Sequence, residues 1–178
     1  LVANGAMQDR RLYPDTSSPT AMMISVMMTL CVAAYEGRKV GAIDIGGAYL
    51  NAERDPSGEE VIMELEPMLV RILATVAPEV KPFTDEKGKL LVKLDKAMYG
   101  TLDAAKIWYD KLTGALVDMG FNRNDEDPCV FNKSFYGKQC TLVVYVDDLL
   151  ITSESEPALG EVVAELKRRF GDVKYSDD

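Results

Sequence analysis

Two adjacent aspartates, Asp147 and Asp148, stand between two short apolar runs, Thr141 to Val146 before them and Leu149 to Thr152 after them. Both runs are rich in Val, Leu and Ile and too short for helices, so they read as strands. A chain that reverses within so few residues is a hairpin, and the two carboxylates fall where the tight turn must be. Asp favours turns, so the dipeptide alone also fits an ordinary surface turn. Asp44 shifts the balance, because it lies near the end of another apolar run, Val40 to Ile45, between Ile43 and Ile45.

An ionised carboxylate taken out of water without a partner is strongly disfavoured, and adjacent carboxylates also repel one another. A divalent cation relieves both problems. Mg²⁺ prefers one or two carboxylates together with waters and phosphate oxygens, so three aspartates suit a site completed by a triphosphate. Two such ions about 3.5 to 4 Å apart stabilise the attacking and leaving oxygens of an in-line displacement at phosphorus. That is the chemistry of polymerases.

The remaining elements surround these strands. Ser18 reads as an N-cap, Pro19 as the first helical residue and Gly37 as the stop of a helix. Its apolar residues, Met22, Met23, Ile24, Val26, Met27, Met28, Leu30 and Val32, run nearly all the way round, which predicts burial on more than one side. Val61 to Leu65 and Leu90 to Leu94 read as half-buried strands, with an irregular stretch between them marked by Pro67, Pro78, Pro82 and Gly88. A second helix, from near Thr101 to Gly120, carries one apolar face that includes Trp108, Leu112 and Leu116. Val130 to Phe135 pairs with the run from Thr141 through the short loop Tyr136 to Gln139. A last helix from about Pro157 to Phe170 places Leu159, Val162, Val163, Leu166 and Phe170 on one side, and Gly171 stops it. Helices interleaved with hairpins predict an α+β fold, an antiparallel sheet with helices packed on one face.

A chain of 178 residues has room for one domain with a sizeable core. Its net charge of -9 opposes simple nucleic-acid binding, which rests on Lys and Arg neutralising phosphates, although bound metal ions reverse the local sign of a carboxylate site. The three cysteines, Cys31, Cys129 and Cys140, lack the spacing of a zinc site or a disulfide framework and fit a reducing, intracellular compartment. The run Ala21 to Tyr35 is interrupted by Ser25 and Thr29 and falls short of the roughly 20 residues that span a bilayer, so no membrane partner is expected. With no His, Ser-His and His-based acid-base mechanisms are disfavoured.

Several segments together carry a family resemblance. Tyr145-Val146-Asp147-Asp148 matches the Tyr-x-Asp-Asp signature of reverse transcriptases, and its flanks resemble the Ty1/copia retrotransposon version. Asp44-Ile45-Gly46-Gly47-Ala48-Tyr49-Leu50-Asn51 resembles that family's first catalytic motif, with Tyr for Phe. Met98-Tyr99-Gly100, Trp108-Tyr109 and Asp127-Pro128-Cys129-Val130-Phe131 resemble further family segments, and Leu1-Val2-Ala3 resembles the end of a fingers motif. The motifs follow family order and spacing over nearly the whole chain.

The resemblance implies a polymerase palm with partial fingers, the fingers-like parts lying at about 1–38 and 52–95. It implies RNA-directed DNA synthesis with two Mg²⁺ or Mn²⁺ ions, an RNA template, a DNA or RNA primer, a dNTP and the rest of an element polyprotein as partners. Asp44 and Asp147 would be the principal metal ligands and Asp148 the supporting one. Tyr49 would lie under the nucleotide sugar and exclude a 2′-hydroxyl by volume, an ordinary core Tyr being the alternative. The peptide groups of Gly47 and Ala48 would approach the triphosphate. The resemblance also implies an excised piece, with phosphate-gripping residues before Leu1 and primer-holding parts and thumb after Asp178, and a cytoplasmic particle or the nucleus as its location.

One departure stands out. Where the family has Gln after its Tyr-Gly segment this chain has Asp103, which would repel a triphosphate unless it faces away as a helix-start residue. Trp108 and Tyr109 fit base stacking, but the helical spacing of Trp108 fits a core position better. Two other readings remain: a catalytically degraded, element-derived binding module, and a different palm-type nucleotidyl transferase such as a nucleotide cyclase, whose Gly-Gly-Asp/Glu-Glu/Asp-Phe hairpin is absent.

Overall fold

The computed structural model describes residues 2–177, so Leu1 of the fingers-like segment lies outside the described residues. Among the described residues, eight strands are interleaved with four α-helices. Six strands form one antiparallel sheet in the order β4 (Asn122–Arg123), β5 (Val130–Phe135), β6 (Lys138–Tyr145), β7 (Asp148–Ser153), β1 (Lys39–Ile45) and β8 (Val173–Asp177). The β5–β6 hairpin turns on Tyr136 and Gly137 alone, both at positive φ, which is the tight two-residue turn that matches strand twist. β6 therefore starts three residues before the predicted Thr141.

Strand alternation divides the sheet into two faces. Ile43, Ile45, Leu142, Val144, Leu149 and Ile151 turn to one side and join Trp108, Leu112 and Leu116 of α3 (Ala104–Asp118) with Leu159, Val162 and Leu166 of α4 (Glu156–Phe170) in a single core. Each such side chain contributes roughly 1.5 to 3 kcal/mol when fully buried. Ser155 caps α4 by accepting from the Ala158 amide, and Gly171 at positive φ ends it.

The opposite face departs from the expectation of helices on one side. There α1 (Met23–Glu36) crosses β1, β6 and β7, above a cavity of about 430 Å³ between Ser25, Met28 and Val32 and the strand residues Val130, Asn132 and Thr141. The helix does not start at Pro19 and is not wrapped by core. Its N-cap is Met22, only Ala33 is buried, and Met23, Ile24, Met27 and Met28 are exposed. Helical periodicity reports apolar positions, not the existence of something to cover them.

The irregular stretch between the two half-buried strands is also more ordered than its prolines suggest. β2 (Ile62–Leu65) pairs with β3 (Leu90–Lys93), and between them lies α2 (Pro67–Val76), with Pro67 at its first turn where no amide donor is needed. Leu65, Val70 and Leu90 form a small core of their own. Cys129 and Cys140 are buried free thiols, pushed by desolvation to about 11 and about 12, so neither is a reactive thiolate. Among the described residues no helix is long and apolar enough to cross a membrane.

Candidate active site

The pairing of β1 with β7 brings distant acids together. In the β1–β7 register Asp44 faces Asp148, and Tyr145 faces Asp148 from the other side across the β6–β7 hairpin. The turn of that hairpin is Val146-Asp147, so Asp148 belongs to β7 and not to the turn expected from the sequence. Alternation explains why these acids are tolerated: Ile43 and Ile45 point into the core, while Asp44 between them points to the open face with its side chain 47% exposed.

The turn is held from behind. Val146 adopts φ 59°, a left-handed conformation disfavoured for a β-branched residue. Its carbonyl accepts the Trp108 indole N–H at 2.8 Å, and the Asp147 carbonyl accepts the Ile45 amide at 3.3 Å. Trp108 is thus a core residue, as its spacing predicts, and a buttress of the turn. Tyr109 is likewise buried and donates to the Pro128 carbonyl at 2.9 Å, leaving no aromatic face for a base.

Partial desolvation, then the charges of Asp147 and Asp44, raises the Asp148 pKa above the usual carboxylate value. The donor set is entirely carboxylate oxygen, which a hard divalent cation prefers, and such an ion would relieve this repulsion. Among the described residues no three acidic or cysteine side chains close tightly enough to hold an ion as they stand. Asp44 instead leans on Lys174 of β8, 3.6 Å away.

Beyond β1 the chain makes a short 3-10 turn, Ala48–Asn51, opened by Gly47 at φ 61°. Gly46 sits where a Cβ would fall 2.1 Å from the Asp172 carboxylate, so a larger residue would require that side chain to move. Ala48 is buried, Gly47 is exposed, and the Asn51 amide ties the turn by donating to the Gly46 and Gly47 carbonyls. Tyr49 is half-buried against the core, and its ring lies 4.1 Å from that of Tyr99 at 33°. The Tyr99 hydroxyl points at Asp147 Oδ2, 3.5 Å away. Burial and the Asp147 charge raise the pKa of both phenols.

Three contributors escape the sequence reading. Tyr99 was visible only as part of a Tyr-Gly pair. Arg54, just past the turn, grips Asp103 with two bonds of 2.7 Å and Thr101 with one of 3.0 Å, the Arg54 and Asp103 side chains being 8% and 14% exposed. This resolves the acid at the start of α3: Asp103 is neutralised by Arg54. Asp127 accepts the Met22 amide at 2.9 Å with one oxygen and the Cys129 amide at 3.0 Å with the other, so it caps α1 from across the fold.

The chain matches the family described as Reverse transcriptase (RNA-dependent DNA polymerase) over residues 1–177. It is 27% identical over 172 residues, 96% of its length, to the retrovirus-related Pol polyprotein from transposon TNT 1-94 of Nicotiana tabacum. Its identity is 28% over 178 residues, 99% of its length, to the corresponding polyprotein from transposon RE2 of Arabidopsis thaliana. To the transposon Ty1-ER2 Gag-Pol polyprotein of Saccharomyces cerevisiae it is 26% identical over 172 residues, 96% of its length. The chain spans 12%, 11% and 8% of the length of these relatives. No solved structure matches it. With antiparallel strands setting two motif acids face to face, and relatives that are Ty1/copia Pol polyproteins, the chain belongs to the reverse transcriptase family.

Proposed function

We propose that this chain is the palm, with partial fingers, of an RNA-directed DNA polymerase acting within a copia-type Pol polyprotein. The observation that carries the reading is the register of Asp44 against Asp148 with Asp147 in the adjoining turn. Asp44 and Asp147 are the principal metal ligands in this reading, and Asp148 supports them. Two Mg²⁺ or Mn²⁺ ions, when bound, would activate a primer 3′-hydroxyl and stabilise the leaving diphosphate. Tyr49 stands beside the nucleotide sugar and excludes a 2′-hydroxyl by volume. The exposed Gly47 leaves its peptide group and that of Ala48 room to approach the triphosphate. Residues 52–95, which include the small separate core, form the main fingers-like part, and residues up to 38 contribute the rest. RNA template, primer, dNTP and the remainder of the polyprotein are the partners.

The test is metal-dependent incorporation of dNTP on a primed RNA by the polyprotein that carries this chain. Asp147→Asn is expected to abolish incorporation, and Tyr49→Val to raise ribonucleotide use relative to deoxyribonucleotide. Wild-type incorporation by Asp147→Asn would overturn the reading. The net charge of -9 favours a second reading, a binding module without catalysis, which predicts no incorporation by the wild type under any divalent ion.

A further inference from the structure

We infer that Tyr99 is a positioning residue that couples the sugar-side wall of the site to its metal-side carboxylate. The inference rests on the roles proposed for Asp147 and Tyr49. Tyr49 stands on the short turn opened by Gly47 and packs partly against the core. Its ring also meets that of Tyr99, 4.1 Å away and tilted by 33°.

Tyr99 is itself fixed by its backbone. Its carbonyl accepts the Ala3 amide at 2.7 Å, and the Gln8 side chain accepts the Leu102 amide at 2.8 Å. Gly100, at φ 94°, lies so close to Ala3 that a Cβ would fall 2.0 Å from its carbonyl oxygen. A Cβ on Gly5 would fall 2.2 Å from the Gly100 carbonyl oxygen, so the two segments interlock through glycines. On its other side Ala97 and Met98 are buried. The ring therefore projects from an anchored segment.

Its hydroxyl completes the link. The backbone of the Val146-Asp147 turn is held by Trp108 and Ile45, but neither contact fixes the Asp147 side chain. The Tyr99 hydroxyl points at Oδ2 of that carboxylate from 3.5 Å, the long limit of such a bond. A donor on one oxygen leaves the other free for a cation and limits carboxylate rotation, as outer partners of metal ligands do.

Two substitutions separate the parts: Tyr99→Phe keeps the ring and removes the hydroxyl, and Tyr99→Leu removes both. Mn²⁺ binding to this chain, followed by the paramagnetic signal of the free ion, is expected to weaken roughly tenfold in Tyr99→Phe. In the full polyprotein, Tyr99→Phe should lower kcat with little change in dNTP KM and keep wild-type sugar discrimination. Tyr99→Leu should also lose discrimination, to the degree that Tyr49→Val does. Unchanged Mn²⁺ affinity in Tyr99→Phe overturns the link to Asp147, and unchanged discrimination in Tyr99→Leu overturns the backing of Tyr49. Wild-type Mn²⁺ binding by Asp147→Asn would instead overturn the metal-site reading beneath both.

Discussion

Arg54 and Asp103 show how a single exchange propagates. Breaking a buried pair by removing one partner leaves an uncompensated charge, so Asp103→Ala is expected to cost about 3 to 5 kcal/mol in urea unfolding. Asp103→Gln should cost nearly as much, because Arg54 keeps its charge. Replacing both partners, as Arg54→Met with Asp103→Leu, should recover most of the loss. A double variant as unstable as the single ones would show that the pair does not act as a unit. The places of Asp44 near the end of a strand and of Asp147 in a hairpin turn were legible because hairpin turns and strand alternation are local properties, whereas Asp148 proved to open β7. Arg54 was not, since its partner lies 49 residues away and nothing in a sequence pairs them. Tyr99 was hidden for the same reason: its meaning depends on Tyr49 and Asp147, each from a different segment.

At the scale of elements, α1 depends on a residue it does not contain. Burial alone would raise the Asp127 pKa, but the Ser25 hydroxyl and the Cys129 and Met22 amides outweigh it, and the folded value lies below the ordinary 3.8. A depressed folded pKa means the stabilisation is complete above about 3.8 and is lost as pH falls through the lower folded value. Asp127→Ala is expected to cost about 1 to 2 kcal/mol at neutral pH, the range of a lost helix cap, and to remove this part of the acid dependence. Urea unfolding across a pH series, with helicity followed by circular dichroism, checks both. Asp148 acts with the opposite sign. Its raised folded pKa penalises the ionised form, so stability is regained as pH falls through that value, and Asp148→Asn should raise metal-free stability. Of the elements, α3 and α4 were legible through period and stop signals. α2 was concealed by its prolines, and β8 is too polar to announce itself, since its place comes from pairing with β1. The start of α1 was misplaced because its cap comes from Asp127 and not from Ser18.

For the whole molecule, the charge of -9 and the cluster of acids on the open face set the response to ions. Mg²⁺ or Mn²⁺ should raise the melting temperature by an amount that grows with the logarithm of ion concentration, and Asp44→Asn or Asp147→Asn should remove most of that rise. A melting temperature indifferent to both ions in wild type and variants would contradict the shared site. The chain alone is expected to fold cooperatively yet support little processive synthesis, because a surface this acidic gives a nucleic acid few phosphate contacts. Strand β1 lies between β7 and β8, so this part of the sheet is built from residues synthesised roughly a hundred positions apart. A nascent chain therefore carries β1 unpaired on both edges until β7 and β8 are made, while β2, α2 and β3 already have one another as partners. Amide exchange pulsed during refolding should find β2 and β3 protected first and Asp44 among the last, so the acids meet only when the fold is nearly complete.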